Sequence, residues 1–386
     1  MFLLEIIFWT AAGLTVYAYA GYPILVFLIS RMFPKPVLRA PYLPTVSVII
    51  AAYNEEKDIR AKLLNTLQLD YSSNALEIIV VSDCSSDGTD SIVLEFADRG
   101  VKLVRQSDRR GKTAAQNLAA EHASGEIILF SDATSMYQPN VLKEMLPNFA
   151  DPGVGCVAGK LVYVDESASG VGDGARKYWN YETFLKESES RARSLIGVSG
   201  CMYAVRRQAY VPMYEEACSD FYVCTMLYRQ GLRTVYQPSA VCFEDTNTRT
   251  ADEFRMRVRI ISQTFGDLWR NREMMNPCRS GFYAVQLISH KLLRYAIPLL
   301  LAFVFLTSGI LAFESVFYAL AFALQLIFYL IAIADWAVQK RGVDVKLAAI
   351  PRYFCVANLA SIAGFYKFVT GERFARWEPI RDHNAS

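Results

Sequence analysis

Charged residues are scarce in this sequence, and the two signs nearly cancel. Asp, Glu, Lys and Arg make up 20% of its 386 residues, against about 25% in an ordinary soluble domain. The net charge is +2, so there is no electrostatic reason to expect nucleic acid as a partner. The scarcity is greatest at the two ends, since Glu5 is the only charged residue of 1–30 and Glu314 the only one of 295–334.

The cysteine and histidine spacings that are typical of disulfide scaffolds and of metal sites are also missing. The eight cysteines include no Cys-x-x-Cys pair, and their scatter does not suggest a small disulfide scaffold. Seven of them lie in the central part of the chain, which fits reduced thiols in a cytosolic domain. The three histidines, His122, His290 and His383, have no metal-ligand spacing.

The charge-poor ends predict helices associated with a membrane. Residues 1–31 are long enough to cross a bilayer, which takes roughly 20 apolar residues, and they lack the basic start of a signal peptide. Two more transmembrane helices are predicted within 296–338. The stretch 281–295 mixes apolar and basic residues, which suits a helix lying in the interface. A third C-terminal segment, 346–370, is expected to span or to re-enter the membrane, and 371–386 is a tail.

Basic residues indicate the orientation of these segments. Arg31, Lys35 and Arg39 follow the first span, which places that side in the cytosol. If 346–370 spans, the C-terminus lies outside, yet basic residues such as Lys367 and Arg373 favour the inside. The spanning and the re-entrant interpretation of this segment therefore both stay open.

Residues 45–270 are predicted to form one α/β domain. Its four strands are predicted at 46–52, 76–82, 101–106 and 126–131, with helices between them. The first of these runs, VSVIIAA, is typical of a strand that is buried on both faces. Strands that alternate with helices at this spacing predict a parallel sheet with right-handed crossovers.

Polar side chains follow the ends of these strands. They are Asn54, Glu55, Asp83, Asp87 and Asp132. Ligands of open α/β sheets lie beyond the carboxyl ends of the strands. Carboxylates from several loops suit the hydroxyls of a nucleotide and, through a divalent cation, its phosphates. One such loop alone would equally serve as a turn and helix cap, but three loops at one edge favour a binding site.

Three stretches of this domain resemble a known family. They are VSVIIAAYNEEKDI, LDYSSNALEIIVVSDCSSDGT and RRGKTAAQNLAAEHASGEIILFSDA. In this order they resemble the membrane-anchored family 2 glycosyltransferases, in the group of bacterial exopolysaccharide, cellulose and hyaluronan synthases. The resemblance implies a GT-A (Rossmann-like) α/β domain that binds a nucleotide sugar, joined to α-helical transmembrane segments. It also implies a multi-pass protein of the bacterial inner membrane with a cytosolic catalytic domain.

The resemblance implies an activity as well. It points to an inverting hexosyl- or N-acetylhexosaminyltransferase with a nucleotide-sugar donor, usually UDP-linked. The implied acceptor is lipid-linked or a growing polysaccharide at the cytosolic membrane face, with membrane lipid, other subunits or a second copy as further partners. Two alternatives stay open: a processive polysaccharide synthase with an export partner, and a non-catalytic nucleotide-binding subunit of such a complex.

The same resemblance assigns residues to roles. The nucleotide-sugar contacts fall on Ala52, Tyr53, Glu55, Asp83, Lys112, Asn117 and Asp132. Gly200 and Cys201 lie on the acceptor side. Asp220 matches the catalytic base, which is needed because a sugar hydroxyl is too weak an acid to attack unaided. Arg259 matches a cation that stabilises the departing diphosphate.

The chain departs from the family pattern at three places. The metal motif Asp-x-Asp reads Asp132-Ala133-Thr134, so Asp132 is expected to bind Mg²⁺ or Mn²⁺ without the second acid. Ser219 replaces the first acid of the pair that ends in Asp220. Of the motif Gln-x-x-Arg-Trp only Arg259 remains, which weakens the case for processive polymerisation. The two lost acids are what support the non-catalytic alternative.

Overall fold

The computed structural model describes residues 1–164, 170–245, 250–339 and 348–376. The start of the predicted segment 346–370 and most of the predicted tail, including His383, lie outside the described residues.

A mixed sheet forms the centre of the α/β domain. Its strands are β1 (Val46–Ala52), β2 (Leu76–Ser82), β3 (Val101–Arg105), β4 (Ile127–Asp132), β5 (Met136–Tyr137), β6 (Val154–Val164), β7 (Met202–Arg206) and β8 (Arg233–Asp245). They lie in the order β3-β2-β1-β4-β7-β6-β8-β5. Strands β1 to β4 are parallel, as predicted. Strand β7 runs antiparallel to both β4 and β6, so the second half of the sheet is mixed.

Helices cover the sheet and extend from it. They are α1 (Phe2–Val16), α2 (Tyr22–Met32), α3 (Ile59–Leu67), α4 (Thr89–Leu94), α5 (Lys112–His122), α6 (Val141–Met145), α7 (Gly170–Ala192), α8 (Ser219–Arg229), α9 (Thr250–Arg270), α10 (Pro277–Ser280), α11 (Phe282–Gln286), α12 (Leu293–Leu311), α13 (Val316–Gln339) and α14 (Ala349–Val369). Every residue of β1 is buried, because helices pack on both faces of the sheet. The carboxyl ends of β1, β2 and β4 therefore meet at one edge.

Three helical stretches of the described chain are long and apolar enough to cross a membrane. They are Phe2–Met32, Phe282–Leu311 and Val316–Val338. The first joins α1 and α2 through a π turn, Tyr17–Gly21. Pro23 has no amide to bond the Tyr19 carbonyl, and the Tyr181 hydroxyl of α7 donates to that carbonyl instead, at 3.1 Å. A side chain of the α/β domain thus compensates the proline of the first stretch.

The two C-terminal predictions meet different outcomes. Residues 281–295 were predicted as a separate interfacial helix, but Phe282–Leu311 is one uninterrupted helix through a π turn, Leu287–Leu292. The segment within 346–370 forms α14, which is not among the three candidate spans. Helix α14 packs closely on α9: a Cβ on Gly364 would lie 2.9 Å from Ile261. This contact holds α14 against the α/β domain.

A buried polar network joins the α/β domain to the apolar helices. On α7, Glu182 accepts hydrogen bonds from Arg294, at 2.6 Å, and from His290, at 3.3 Å. Glu189 of the same helix pairs with His290 at 2.7 Å and accepts the Tyr22 hydroxyl. Burial alone would raise the pKa of Glu182, but the positive charges of Arg294 and His290 hold it well below its usual value. Glu182 therefore stabilises the fold as a carboxylate.

Glu182→Gln is expected to destabilise this junction by about 3–5 kcal/mol, because it leaves buried cations without their counter-charge. The apparent melting temperature in detergent should fall. The matched control, Glu187→Gln, changes a less buried carboxyl of the same helix and should leave it unchanged. A depressed carboxyl pKa stabilises above the ordinary value of 4.5, so the difference between wild type and variant should shrink as the pH falls below that value. Equal melting temperatures at neutral pH would contradict the prediction.

Candidate active site

The loops after β1 and β2 are bonded to each other at the carboxyl edge. The Ser86 amide donates to Asn54 Oδ1 at 2.7 Å, and the Glu55 amide donates to Thr89 Oγ1 at 2.7 Å. Asn54 and Cys84 have positive φ angles, of 55° and 61°. Such angles cost free energy in non-glycine residues and cluster at functional sites. The two loops therefore form one rigid wall of a cleft.

Asp83 anchors a third loop, 106–111, to this wall. Its carboxylate accepts from Gln106 Nε2 at 2.6 Å, from the Arg110 amide at 2.8 Å and from the Gly111 amide at 3.0 Å. Burial raises the pKa of Asp83, and the two amides act to lower it. Its side chain is fully buried, so in this arrangement it holds the loop, and its contact with the nucleotide sugar stays a prediction.

Two more of the predicted nucleotide-sugar residues lie beside this loop. Arg109 stacks 3.8 Å over the Tyr53 ring, and the carbonyl of buried Ala52 accepts the Asp83 amide at 2.9 Å.

The segment after α14 lies close to Gly111. Gly111 has a φ of 98°, and a Cβ there would clash with the Ala375 carbonyl. The segment after α14 is held there by Gln263, whose amide donates to the Phe374 carbonyl at 2.6 Å. This segment covers the start of α5.

Lys112 and Asp132 form an ion pair at the centre of the edge. Lys112 begins α5 and Asp132 ends β4. Their side chains are 24% and 27% exposed, so the pair is open to the cleft. Burial acts to lower the pKa of Lys112, but attraction to Asp132 raises it overall, with a smaller contribution from Asp220. The pair sets a cation beside a carboxylate at the carboxyl edge of the sheet.

Asp220 lies beside this pair, across Gly200. A Cβ on Gly200 would lie 3.4 Å from Lys112 Nζ and 3.5 Å from Asp220 Oδ2. Asp220 lies in the first turn of α8, and its Oδ1 accepts the Cys218 thiol at 2.9 Å. Ser199, next to Gly200, accepts a hydrogen bond from Lys186 of α7 at 2.8 Å. Gly200 thus lies in a gap between the cation and the carboxylate, where a Cβ would be in van der Waals contact with both.

Helix α9 lies on the side of the site where Asp220 is found. Burial lowers the pKa of Arg259, and Cys218, Asp220 and Asp132 act in the opposite direction, so the guanidinium lies within electrostatic range of both carboxylates. Asp267, on the same helix, accepts the Cys218 amide at 3.1 Å. The residue before α8 is thus held by α9. Asp267 was not predicted, because no motif marks it.

Two predicted residues have other bonds in the structure. Both polar atoms of the Asn117 side chain bond the 210–213 segment: Nδ2 donates to the Met213 carbonyl at 2.6 Å, and Oδ1 accepts from Tyr210 at 2.8 Å. The Cys201 carbonyl accepts the Tyr137 hydroxyl at 2.8 Å, and its thiol lies 3.5 Å from that of Cys242. Their proposed roles toward donor and acceptor stay predictions.

Two further charged residues lie at the site and were not predicted. The ammonium of buried Lys62 donates to the Ser135 carbonyl at 2.6 Å, and burial lowers its pKa to about 7. Glu244, on β8, accepts the Thr134 hydroxyl at 3.2 Å. Burial and the negative charge of Asp132 raise the pKa of Glu244 to about 7. Neither lies in a motif, and β8 itself was not predicted.

Comparison with known proteins agrees with this architecture. Residues 47–211 match the family described as glycosyl transferase family 2. Poly-beta-1,6-N-acetyl-D-glucosamine synthase of Staphylococcus aureus is 25% identical over 244 residues, which are 62% of this chain and 55% of that protein. The synthase of the same name from Staphylococcus epidermidis is 25% identical over 233 residues, 59% of this chain and 52% of that protein. The match thus spans about half the length of these relatives.

A solved structure is similar over nearly the whole chain. It is a mannosyltransferase from Pyrobaculum calidifontis, determined in complex with GDP-Man and Mn²⁺, with 26% identity and a TM-score of 0.71. The likeness covers 95% of this chain and 99% of that one. The GT-A fold expected from the sequence is confirmed. The chain therefore has a GT-A fold in which residues 47–211 match glycosyl transferase family 2, joined to three helices within the described residues that are long and apolar enough to cross a membrane.

Proposed function

We propose that this protein is a glycosyltransferase that moves a sugar from a nucleotide sugar to a lipid-linked or growing polysaccharide acceptor at the membrane surface, with inversion at the anomeric carbon. The observation that carries the proposal is the meeting of Lys112, Asp132 and Asp220 around the gap at Gly200. It offers a cation for a diphosphate and a separate carboxylate for a proton within one cleft.

Asp220 acts as the base in this proposal. The acceptor hydroxyl gives its proton to the Asp220 carboxylate while its oxygen bonds to the anomeric carbon. The bond between that carbon and the diphosphate oxygen breaks, and the nucleoside diphosphate leaves with the bonding electrons. Lys112 and Arg259 offset the negative charge that develops on the leaving group.

The residues present fit a divalent cation. Asp132 presents a partly exposed carboxylate to the cleft and already pairs with the Lys112 ammonium, and hard oxygen donors are what Mg²⁺ and Mn²⁺ prefer. No group of three or more His, Cys, Asp or Glu within the described ranges is arranged to hold a metal ion. We infer that Asp132 binds the ion together with the donor phosphates. Such an ion neutralises charge on the diphosphate.

The bacterial inner membrane is the proposed location, with the α/β domain in the cytosol. Arg31 lies at the end of the first apolar stretch and Lys35 and Arg39 follow it, and basic residues favour the cytosolic side. The α7 network joins this stretch to the domain that holds Asp220. An acceptor carried by a lipid would therefore meet the site at the membrane surface.

A donor screen tests the proposal. Purified protein in nanodiscs is given UDP-glucose, UDP-N-acetylglucosamine or GDP-mannose with membrane-lipid extract, and the released nucleoside diphosphate is measured. We expect one donor to be used, and we expect it to be a UDP sugar. Release of the nucleoside diphosphate should fall at least tenfold with EDTA and recover with Mn²⁺ or Mg²⁺. Folded protein that releases no nucleotide from any donor would favour the non-catalytic alternative.

The product of the same reaction separates single transfer from polymerisation. The likeness to the mannosyltransferase includes the apolar ends of the chain, whereas the likeness to the polysaccharide synthases covers 62% of it. We therefore expect a radiolabelled donor to yield one short lipid-soluble product. Labelled material of high molecular weight would support the processive alternative with an export partner.

A further inference from the structure

We propose that Glu244 is the second acidic ligand of the divalent ion, in place of the acid that the Asp-x-Asp motif lacks at Thr134. The inference rests on the proposed metal-dependent transfer and adds a residue that lies outside every motif of the sequence. The side chain comes from β8, 110 positions further along the chain.

The position of Glu244 relative to the motif supports this assignment. Thr134 stands where the second carboxylate is expected, and its hydroxyl donates to Glu244 Oε1 at 3.2 Å. A carboxylate oxygen thus lies next to the place that the missing acid would occupy. Both Thr134 and Glu244 offer oxygen donors, the ligand type that Mg²⁺ and Mn²⁺ require.

Strand pairing holds Glu244 at this place. Strand β5, directly after the motif, is antiparallel to β8, with Met136 opposite Phe243 and Tyr137 opposite Cys242. On its other side β8 pairs with β6, where Tyr163 lies opposite Glu244. Alternate residues of a strand share a face, so Glu244 faces the same side as Cys242, whose thiol lies 3.5 Å from that of Cys201. Pairing with both neighbouring strands thus fixes the place of Glu244 on β8, where it meets Thr134.

The charges around Glu244 also favour a cation. Glu244 and Asp132 repel each other, and the Lys112 ammonium that pairs with Asp132 attracts Glu244 as well. One positive group thus already acts on both carboxylates. A divalent ion has twice that charge, and two carboxylates with donor phosphates and water complete an octahedral shell. Glu244 then compensates for the acid that is missing at Thr134, and the altered motif does not indicate that the metal site is lost.

Metal binding is measured directly, so that activity is not the only readout. Full-length protein in detergent is titrated with Mn²⁺ in the presence of the nucleoside diphosphate found in the donor screen, and free Mn²⁺ is followed by electron paramagnetic resonance. Glu244→Gln should weaken the apparent Mn²⁺ affinity by about tenfold or more. Glu95→Gln removes an exposed carboxyl that pairs with Arg60 and should leave the affinity at the wild-type value.

A second variant separates ligation from a merely structural bond to Thr134. Thr134→Asp restores Asp-x-Asp, so adding it to Glu244→Gln should recover Mn²⁺ affinity to within a few-fold of wild type. Unchanged affinity in Glu244→Gln would overturn the inference, and so would the absence of recovery in a double variant with wild-type thermal stability. Wild-type protein that transfers sugar but binds no Mn²⁺ would overturn the metal site alone and leave the proposed transfer standing.

Discussion

Asp220→Asn is expected to lower the turnover of sugar transfer by about a thousandfold, within the range for loss of a general base. The amide has the size of the carboxylate but does not take up a proton from the acceptor hydroxyl. Its carbonyl oxygen still accepts the Cys218 thiol, which lies 2.9 Å from Asp220 Oδ1. The first turn of α8 should therefore stay in place, and the loss should be confined to chemistry.

Turnover and donor binding are measured separately for this variant. The rate is followed by release of nucleoside diphosphate, and donor affinity by calorimetry in nanodiscs. We expect affinity within a few-fold of wild type, because Lys112 and Asp132 are unchanged. The control is Asp98→Asn, an exposed carboxyl in the turn after α4. Wild-type turnover of Asp220→Asn would refute the assignment of the base.

Arg259→Ala is expected to lower turnover by about a hundredfold, a typical loss when a group that stabilises developing charge is removed. The guanidinium lies within electrostatic range of Asp132 and Asp220, where the proposed reaction releases the diphosphate. Its effect should appear mainly in turnover, because charge on the leaving group is greatest in the transition state. Arg259→Lys keeps the charge and should recover part of the rate.

The same helix provides the control for this experiment. Arg255 lies one turn before Arg259, pairs with Asp252 at 3.0 Å, and has a side chain that is 77% exposed. Arg255→Ala should keep wild-type turnover. If both alanine variants lose activity equally, the basic face of α9 serves a different purpose, such as contact with anionic lipid. A variant at Arg259 that raises only the KM would indicate a role in donor binding alone.

The first half of the sheet could be predicted from local pattern. The runs VSVIIAA and LEIIVVS coincide with β1 and β2. Such runs are visible in the sequence because a strand that is buried on both faces is apolar along its whole length. The second half could not be predicted in this way. Strand β7 lies between β4 and β6 and runs against both, and such pairing joins residues far apart in sequence.

The same difference holds for the active site. Lys112, Asp132 and Asp220 were predicted because each stands in a recognisable motif, although their roles stay predictions. Glu244 and Asp267 were missed because their importance comes from what they touch: Thr134 across a strand pair, and the Cys218 amide across two helices. The separate interfacial helix expected at 281–295 was also not found, since no break in the backbone divides Phe282–Leu311.

The sequence by itself determined that this protein has an α/β domain with family 2 glycosyltransferase motifs between apolar ends, because residue order alone sets apolar runs, strand ends and motifs. Only the tertiary structure decided which charges meet. The Lys112–Asp132 pair, the gap at Gly200 beside Asp220, and the approach of Glu244 to Thr134 all depend on distances of a few ångströms. Strand pairing and helix packing set those distances, and they join parts of the chain that no local pattern connects.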